Sequence, residues 1–222
     1  MTALHLYLLR HGEPVASDLF YGHADVPLSP RGEQQAAAAA RALAGVPLAA
    51  IYCSDLQRAA RGADMLAEHG EARPAPIALP ALREMHLGVL EQLSFRDARA
   101  RVPELAGRRY EDMLDYRMPG GGESVRDVAA RVLPCVAGLI ARHARTTGPQ
   151  GQATPAIAIV AHNTVNRVLL ACAAGLGPAG YTRFEQALGA VNRIDLHEDW
   201  SDVDPWTATR IGIANWTPPH GR

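Results

Sequence analysis

Arg10 and His11 stand together at the end of an apolar run, Leu4 to Leu9, and His162 closes a second such run, Ala156 to Ala161. A neutral imidazole near pH 7 carries a nucleophilic lone pair, and no other side chain titrates there unperturbed. The neighbouring guanidinium offers a planar fork of donors that matches the oxygens of phosphate. Side by side, the two point to chemistry on an anion, with phosphate the natural candidate. Gly12 follows directly and lets the backbone approach a ligand closely. Taken alone, Arg10-His11-Gly12-Glu13 is as well read as a polar strand cap, so its meaning rests on what positions it.

Continuously apolar runs of this length read as strands buried on both faces, and parallel α/β sheets bind ligands just beyond the carboxyl ends of such strands. Both histidines then point into one crevice. The intervening chain alternates as such a sheet requires. Ser29 and Pro30 open a helix over 31–44, Leu48 to Cys53 forms a second strand, and Ser54-Asp55-Leu56-Gln57 has the pattern of a capping box opening a helix to about His69. Three prolines around Ile77-Ala78-Leu79 mark an edge-lying strand. Residues 94–117 are polar and interruptedly helical, an excursion over the sheet end. Ser124 caps a long helix to about Ala144, residues 146–155 form a surface loop, a helix spans about Val165 to Ala174, and strands at 187–196 and 206–213 finish the sheet.

The chain of 222 residues is 48% hydrophobic and 20% charged with a net charge of −1, a composition that fits a globular protein with a sizeable core. Near-neutrality excludes nucleic acid or an anionic membrane as the bulk partner, so any anion site must be a local concentration of positive charge. Cys53, Cys135 and Cys172 are odd in number, widely spaced and without a CxxC pair. They read as buried thiols, and with no leader pattern and no membrane-spanning run the expected location is the cytoplasm. No exposed apolar face can be defined from the sequence, so oligomeric state stays open, a homodimer included.

An ordered series of separated motifs narrows the reading. Leu9-Arg10-His11-Gly12-Glu13 is followed by Gly22, Asp25, Pro27-Leu28-Ser29, Gly32 and Gln35-Ala36, then by the run Tyr52 to Ala59, Leu82-Arg83-Glu84, Gly88, Gly122-Glu123-Ser124 and Val160-Ala161-His162. This series resembles the histidine phosphatase superfamily, also called phosphoglycerate mutase-like, over nearly the whole chain. The resemblance implies an α/β fold, a three-layer α/β/α sandwich with a mostly parallel central sheet. It implies a single domain over 1–222, with a lid or substrate excursion at about 94–122.

By the same resemblance His11 is the nucleophile that forms a phosphohistidine, Glu84 donates the proton to the leaving oxygen and later activates water, and His162 completes the catalytic set. Arg10 and Arg58 hold the phosphate, and their positive charge should depress the pKa of His11. Neither a metal nor a cofactor is implied, and the partner expected is a small-molecule phosphomonoester. Without the resemblance, Glu84 reads as a loop glutamate paired with Arg83. The chain also departs from the family. Leu90 and Gln92 flank Glu91 where tryptophan and glycine are usual, and Asn163 replaces a glycine after the second histidine. Ser17 stands where mutases tend to have asparagine, and Tyr21 stands in the place of a small hydroxyl residue. Asn163 and Ser17 are accordingly expected to contact phosphate as hydrogen-bond donors. His23 and His86 read as structural or solvent-facing, and Tyr110, Met113 and Tyr116 as either a helix face or an apolar lid. The compact excursion favours a phosphatase; the alternatives are a phosphoglycerate mutase-type isomerase and a catalytically impaired phosphoester-binding domain.

Overall fold

The computed structural model describes residues 2–15, 18–70, 73–144, 154–198 and 204–219. In chain order the elements are β1 (Thr2–Arg10), α1 (Pro30–Ala42), β2 (Leu48–Cys53), α2 (Gln57–Glu68), β3 (Ile77–Ala78), α3 (Phe95–Arg101), α4 (Val125–Ala144), β4 (Ala156–Ala161), α5 (Asn163–Ala173), β5 (Val191–His197) and β6 (Thr209–Trp216), with short 3₁₀ turns between them. The strands form one sheet in the order β3-β2-β4-β1-β5-β6. Those from β3 to β1 run parallel, whereas β5 is antiparallel to both neighbours.

Side-chain alternation along β1 divides the core in two. Leu4, Leu6 and Leu8 pack with α4 and α5 on one face of the sheet. Tyr7 and Leu9 pack with α1 and α2 on the other. The result is the expected three-layer sandwich. Parallel pairing sets Arg10 of β1 opposite Ala161 of β4, and the His11 amide donates to the Ala161 carbonyl at 3.1 Å. The residues that follow, His11 and His162, therefore leave the sheet side by side. From there the chain passes to α1 on one face and to α5 on the other, which opens a crevice between them.

Several local expectations are corrected. Ser54 is not the cap of α2. Its amide continues the ladder to the Val160 carbonyl at 3.0 Å, and its hydroxyl accepts from the Leu56 amide at 3.3 Å. The N-terminus of α2 is capped from a distance instead, because Asp25 accepts from the Gln57 amide at 2.7 Å and from the Gln57 side chain at 3.0 Å. A remote loop thereby holds the turn that carries Arg58. Gly12 also has a packing role: a Cβ there would lie 2.2 Å from the Gly32 carbonyl oxygen, so its small size seats the first turn of α1. Helix α5 starts at Asn163, two residues before the sequence suggests. The fifth strand starts at Val191, which leaves 186–190 as loop. Cys53 and Cys172 are buried, with burial pushing each thiol up to about 11, whereas Cys135 is only half-buried. Ser124 does cap α4, in a reciprocal box with Asp127. The loop expected at 146–155 falls mostly outside the described residues, as does Ser17.

Gln92, one of the departures from the family pattern, has a φ of 63°. Left-handed backbone disfavours any residue with a Cβ and suits glycine. Replacing Gln92 with glycine should therefore stabilise the fold by up to about 1 kcal/mol, read as a higher midpoint in chemical denaturation with an unchanged slope.

Candidate active site

The crevice at the ends of β1 and β4 holds a cavity of about 520 Å³ whose polar floor includes Arg10, His11, Arg58 and Glu84. His11 is 5% exposed, and its Nδ1 lies 2.7 Å from the Gly12 carbonyl oxygen. A carbonyl only accepts, so Nδ1 carries the proton and the lone pair of the neutral ring resides on Nε2. Burial first, then the charges of Arg10 and Arg58, holds the His11 pKa well below its ordinary value. His162 is fully buried and meets the His11 ring edge-on, with centroids 5.0 Å apart. Its pKa is held far down by burial and then by Arg58, His11 and Arg10. Neither of its ring nitrogens has a hydrogen-bond partner among the described residues.

Arg58, in the first turn of α2, is 1% exposed. It donates to the carbonyls of Gly22 at 2.8 Å and Ala24 at 2.9 Å and reaches no carboxylate within ion-pair distance among the described residues. A guanidinium buried against carbonyl dipoles and the Tyr21 ring, with no paired carboxylate, leaves positive potential for an anion to neutralise. Arg10 donates to the Gln186 carbonyl. Gln186 is anchored in turn by buried amides, exchanging hydrogen bonds of 2.8 and 3.0 Å with Asn192 and accepting from Asn166 at 3.3 Å.

Glu84 crosses the cavity from another element. Its carboxylate accepts from its neighbour Met85 at 2.8 Å and from the amide of Thr164, in the first turn of α5, at 3.2 and 3.3 Å. The alternative pairing with Arg83 is not formed, because Arg83 grips Asp55 at 2.6 and 2.8 Å. The Glu84 main chain is fixed as firmly as its side chain. Its carbonyl accepts from His23 Nε2 at 2.8 Å and from Arg131 at 2.9 Å. Arg131 is in turn held by both oxygens of Glu123, at 2.8 and 2.9 Å. Glu123 also accepts from the His86 amide at 2.9 Å. Burial pushes the Glu123 carboxyl up, but the bonds from Arg131 and the His86 amide outweigh it and hold it below the usual range.

His11, His162, Arg10, Arg58 and Glu84 thus converge as the sequence suggests. Asn163 lines the cavity with its amide oxygen engaged by Arg167 at 3.0 Å, which makes the amide nitrogen its donor end. Ser17 lies outside the described residues, so the structure does not locate it. His23 and His86 are structural as expected, their rings 4.9 Å apart, yet His23 acts on the site through Glu84. Sequence reasoning missed Thr164, Gln186 and the Glu123–Arg131 pair. The last two are separated by two helical turns, a distance that no local pairing rule spans.

A family model described as histidine phosphatase superfamily (branch 1) matches residues 6–209. The chain is 28% identical over 215 residues to the adenosylcobalamin/alpha-ribazole phosphatase of Escherichia coli, covering 96% of this chain and all of that one. It is 34% identical over 179 residues to a 2,3-bisphosphoglycerate-dependent phosphoglycerate mutase of Methylobacterium radiotolerans, covering 78% and 81% of the two chains. The fold superposes on a mycobacterial glucosyl-3-phosphoglycerate phosphatase with a TM-score of 0.81 at 29% identity, covering 96% of this chain and 99% of that one.

Two outcomes follow from the geometry. Glu123→Gln weakens the grip on Arg131 and so on the Glu84 carbonyl. It should lower kcat about 10- to 100-fold with KM within about 2-fold, and steady-state kinetics on any turned-over ester will show that split. The second concerns stability. His11 and His162 have folded-state pKa values below the ordinary 6.5, so below that value the unfolded chain binds more protons than the folded one. Their contribution is complete above about pH 6.5 and is lost progressively as the pH falls below it toward the depressed folded-state values. Denaturation midpoints should drop over that window, less steeply in a His162→Asn variant; a slope unchanged by that substitution contradicts the assignment.

Proposed function

The chain belongs to the histidine phosphatase superfamily and is a phosphatase of that class, and on this footing we propose that it hydrolyses a small-molecule phosphomonoester through a phosphohistidine at His11. The observation that carries the reading is the state of His11: a buried, neutral ring with Nδ1 tied to Gly12, flanked by Arg10 and Arg58 and faced by Glu84. In the first step Nε2 attacks phosphorus, the P–O ester bond breaks, and the electron pair passes to the leaving oxygen. Glu84 protonates that oxygen as the general acid. Arg10 and Arg58, with the donor end of Asn163, stabilise charge on the equatorial oxygens, where phosphoryl transfer gains most. In the second step Glu84 takes a proton from water, the oxygen of water bonds to phosphorus, and the N–P bond breaks.

His162 contributes a ring that fixes His11 from the side, with nitrogens available to phosphate oxygens. Three free thiols suit a reducing compartment and support a cytoplasmic location; among the described residues no helix is long and apolar enough to cross a membrane.

Rapid quenching during turnover should trap acid-labile, alkali-stable phosphate on His11, and heavy oxygen from solvent water should appear in the released phosphate. His11→Ala should lose activity by on the order of 10³-fold or more while still binding phosphate. Interconversion of phosphoglycerates without phosphate release would instead identify a mutase.

A further inference from the structure

Beyond its charged floor, the cavity has walls of one chemical kind. Leu19, Phe20, Leu87, Phe95, Leu105 and Met113 line it, together with Met118 and Leu188. Among the described residues, the only charged or titrating ones in the lining apart from Tyr21 are Arg10, His11, Arg58 and Glu84, all of them at the phosphate end. The Tyr21 hydroxyl donates to the Val15 carbonyl at 3.1 Å and its ring lies against Arg58. Three arginines of the excursion are directed to other partners. Arg108 stacks on Tyr116 at 3.9 Å, Arg109 pairs with Asp112 at 3.6 Å, and Arg117 pairs with Asp127.

These walls are built into the fold. The Phe20 and Gln92 amides exchange hydrogen bonds with the carbonyls of Leu93 and Phe20 at 3.0 and 2.6 Å, and Leu19 bridges to Ser94. That pairing sets Phe20 and Phe95 edge to face, with centroids 4.7 Å apart, at the mouth. Methionines at 113 and 118 add unbranched, adaptable surface to the same lining.

We propose that the alcohol half of the substrate is a bulky apolar group, aromatic or extended aliphatic, and that the site rejects carboxylate-bearing and polyhydroxylated phosphoesters. The inference rests on the phosphatase reading and adds the leaving group to it. A carboxylate or sugar hydroxyl entering these walls loses its water and finds no partner. An aryl or long alkyl group instead removes its own surface and that of Phe20, Phe95 and Leu105 from water. Mono- rather than bisphosphates follow from the same lining, since the cations are confined to one end.

The test compares kcat/KM for naphthyl phosphate with that for glucose 6-phosphate and 3-phosphoglycerate, alongside calorimetric titration of the His11→Ala variant with the same three esters. The expected result is a preference for naphthyl phosphate on the order of 100-fold in both measurements. Phe95→Ser, at a residue 54% exposed and so tolerant of change, should shrink the naphthyl-to-glucose ratio about 10-fold. Met113→Arg should shift the ratio toward 3-phosphoglycerate. Equal handling of the three esters, or preference for either polar one, overturns the inference while leaving the phosphatase reading intact. If the parent protein turns over none of them, that reading fails, and the titration alone decides whether the cavity selects apolar esters.

Discussion

The in-register pairing of β1 with β4 is the constraint on which everything else depends. With Arg10 opposite Ala161, the next residue of each strand is a histidine, and the two rings meet at the sheet edge. Displacing β1 by a single residue would carry Leu4, Leu6 and Leu8 to the wrong face. That slip is opposed twice, because both faces of β1 are buried against different helices, one pair contributed before β4 and the other around it. The geometry of the two rings is thus enforced by hydrophobic packing throughout the sheet, well away from the crevice.

Burial has a second consequence at the same edge. It removes Arg58 from water with carbonyl oxygens and the Tyr21 ring against it and no carboxylate paired to it among the described residues, an arrangement that favours an anion beside it. It also makes protonation of His11 and His162 unfavourable next to that charge. One electrostatic fact therefore does two things: it keeps the His11 lone pair free, and it favours an anion beside that ring. Removing the desolvation would weaken both together, which explains why the residues around the site are held by buried amides such as Gln186, Asn192 and Asn166.

What was legible in the sequence followed from local physics. Apolar runs ending in histidine gave the strands, and Ser29-Pro30 and Ser124 gave helix starts. The ordered motifs gave the five converging residues. What was illegible depends on contacts between distant segments. Asp25 caps α2 across the crevice, so the nearby serine was the wrong candidate. Glu123 reads as a prelude to a helix, and only the folded chain shows that it orients Arg131 and through it the Glu84 carbonyl. Gly12 is legible as a glycine that must be small, but what lies against it, Gly32, becomes known only from the packing of α1. Elements declare themselves in sequence; the second layer of hydrogen bonds does not, because its partners obey no spacing.

The departures from the family pattern fall into place on this view. Leu90, where tryptophan is usual, is buried and lines the cavity, so an aliphatic side chain occupies the space of a much larger aromatic one. Gln92 keeps the left-handed turn at the cost of strain, and through its amide ties Phe20 into the wall. Asn163 opens α5 with its oxygen turned to Arg167, beside the Thr164 amide that holds Glu84. None of the three adds or removes a cation in the cavity lining. The differences therefore bear on what the crevice encloses and how its rim is shaped, while the register, the two rings and the buried guanidinium are left as the fold requires them.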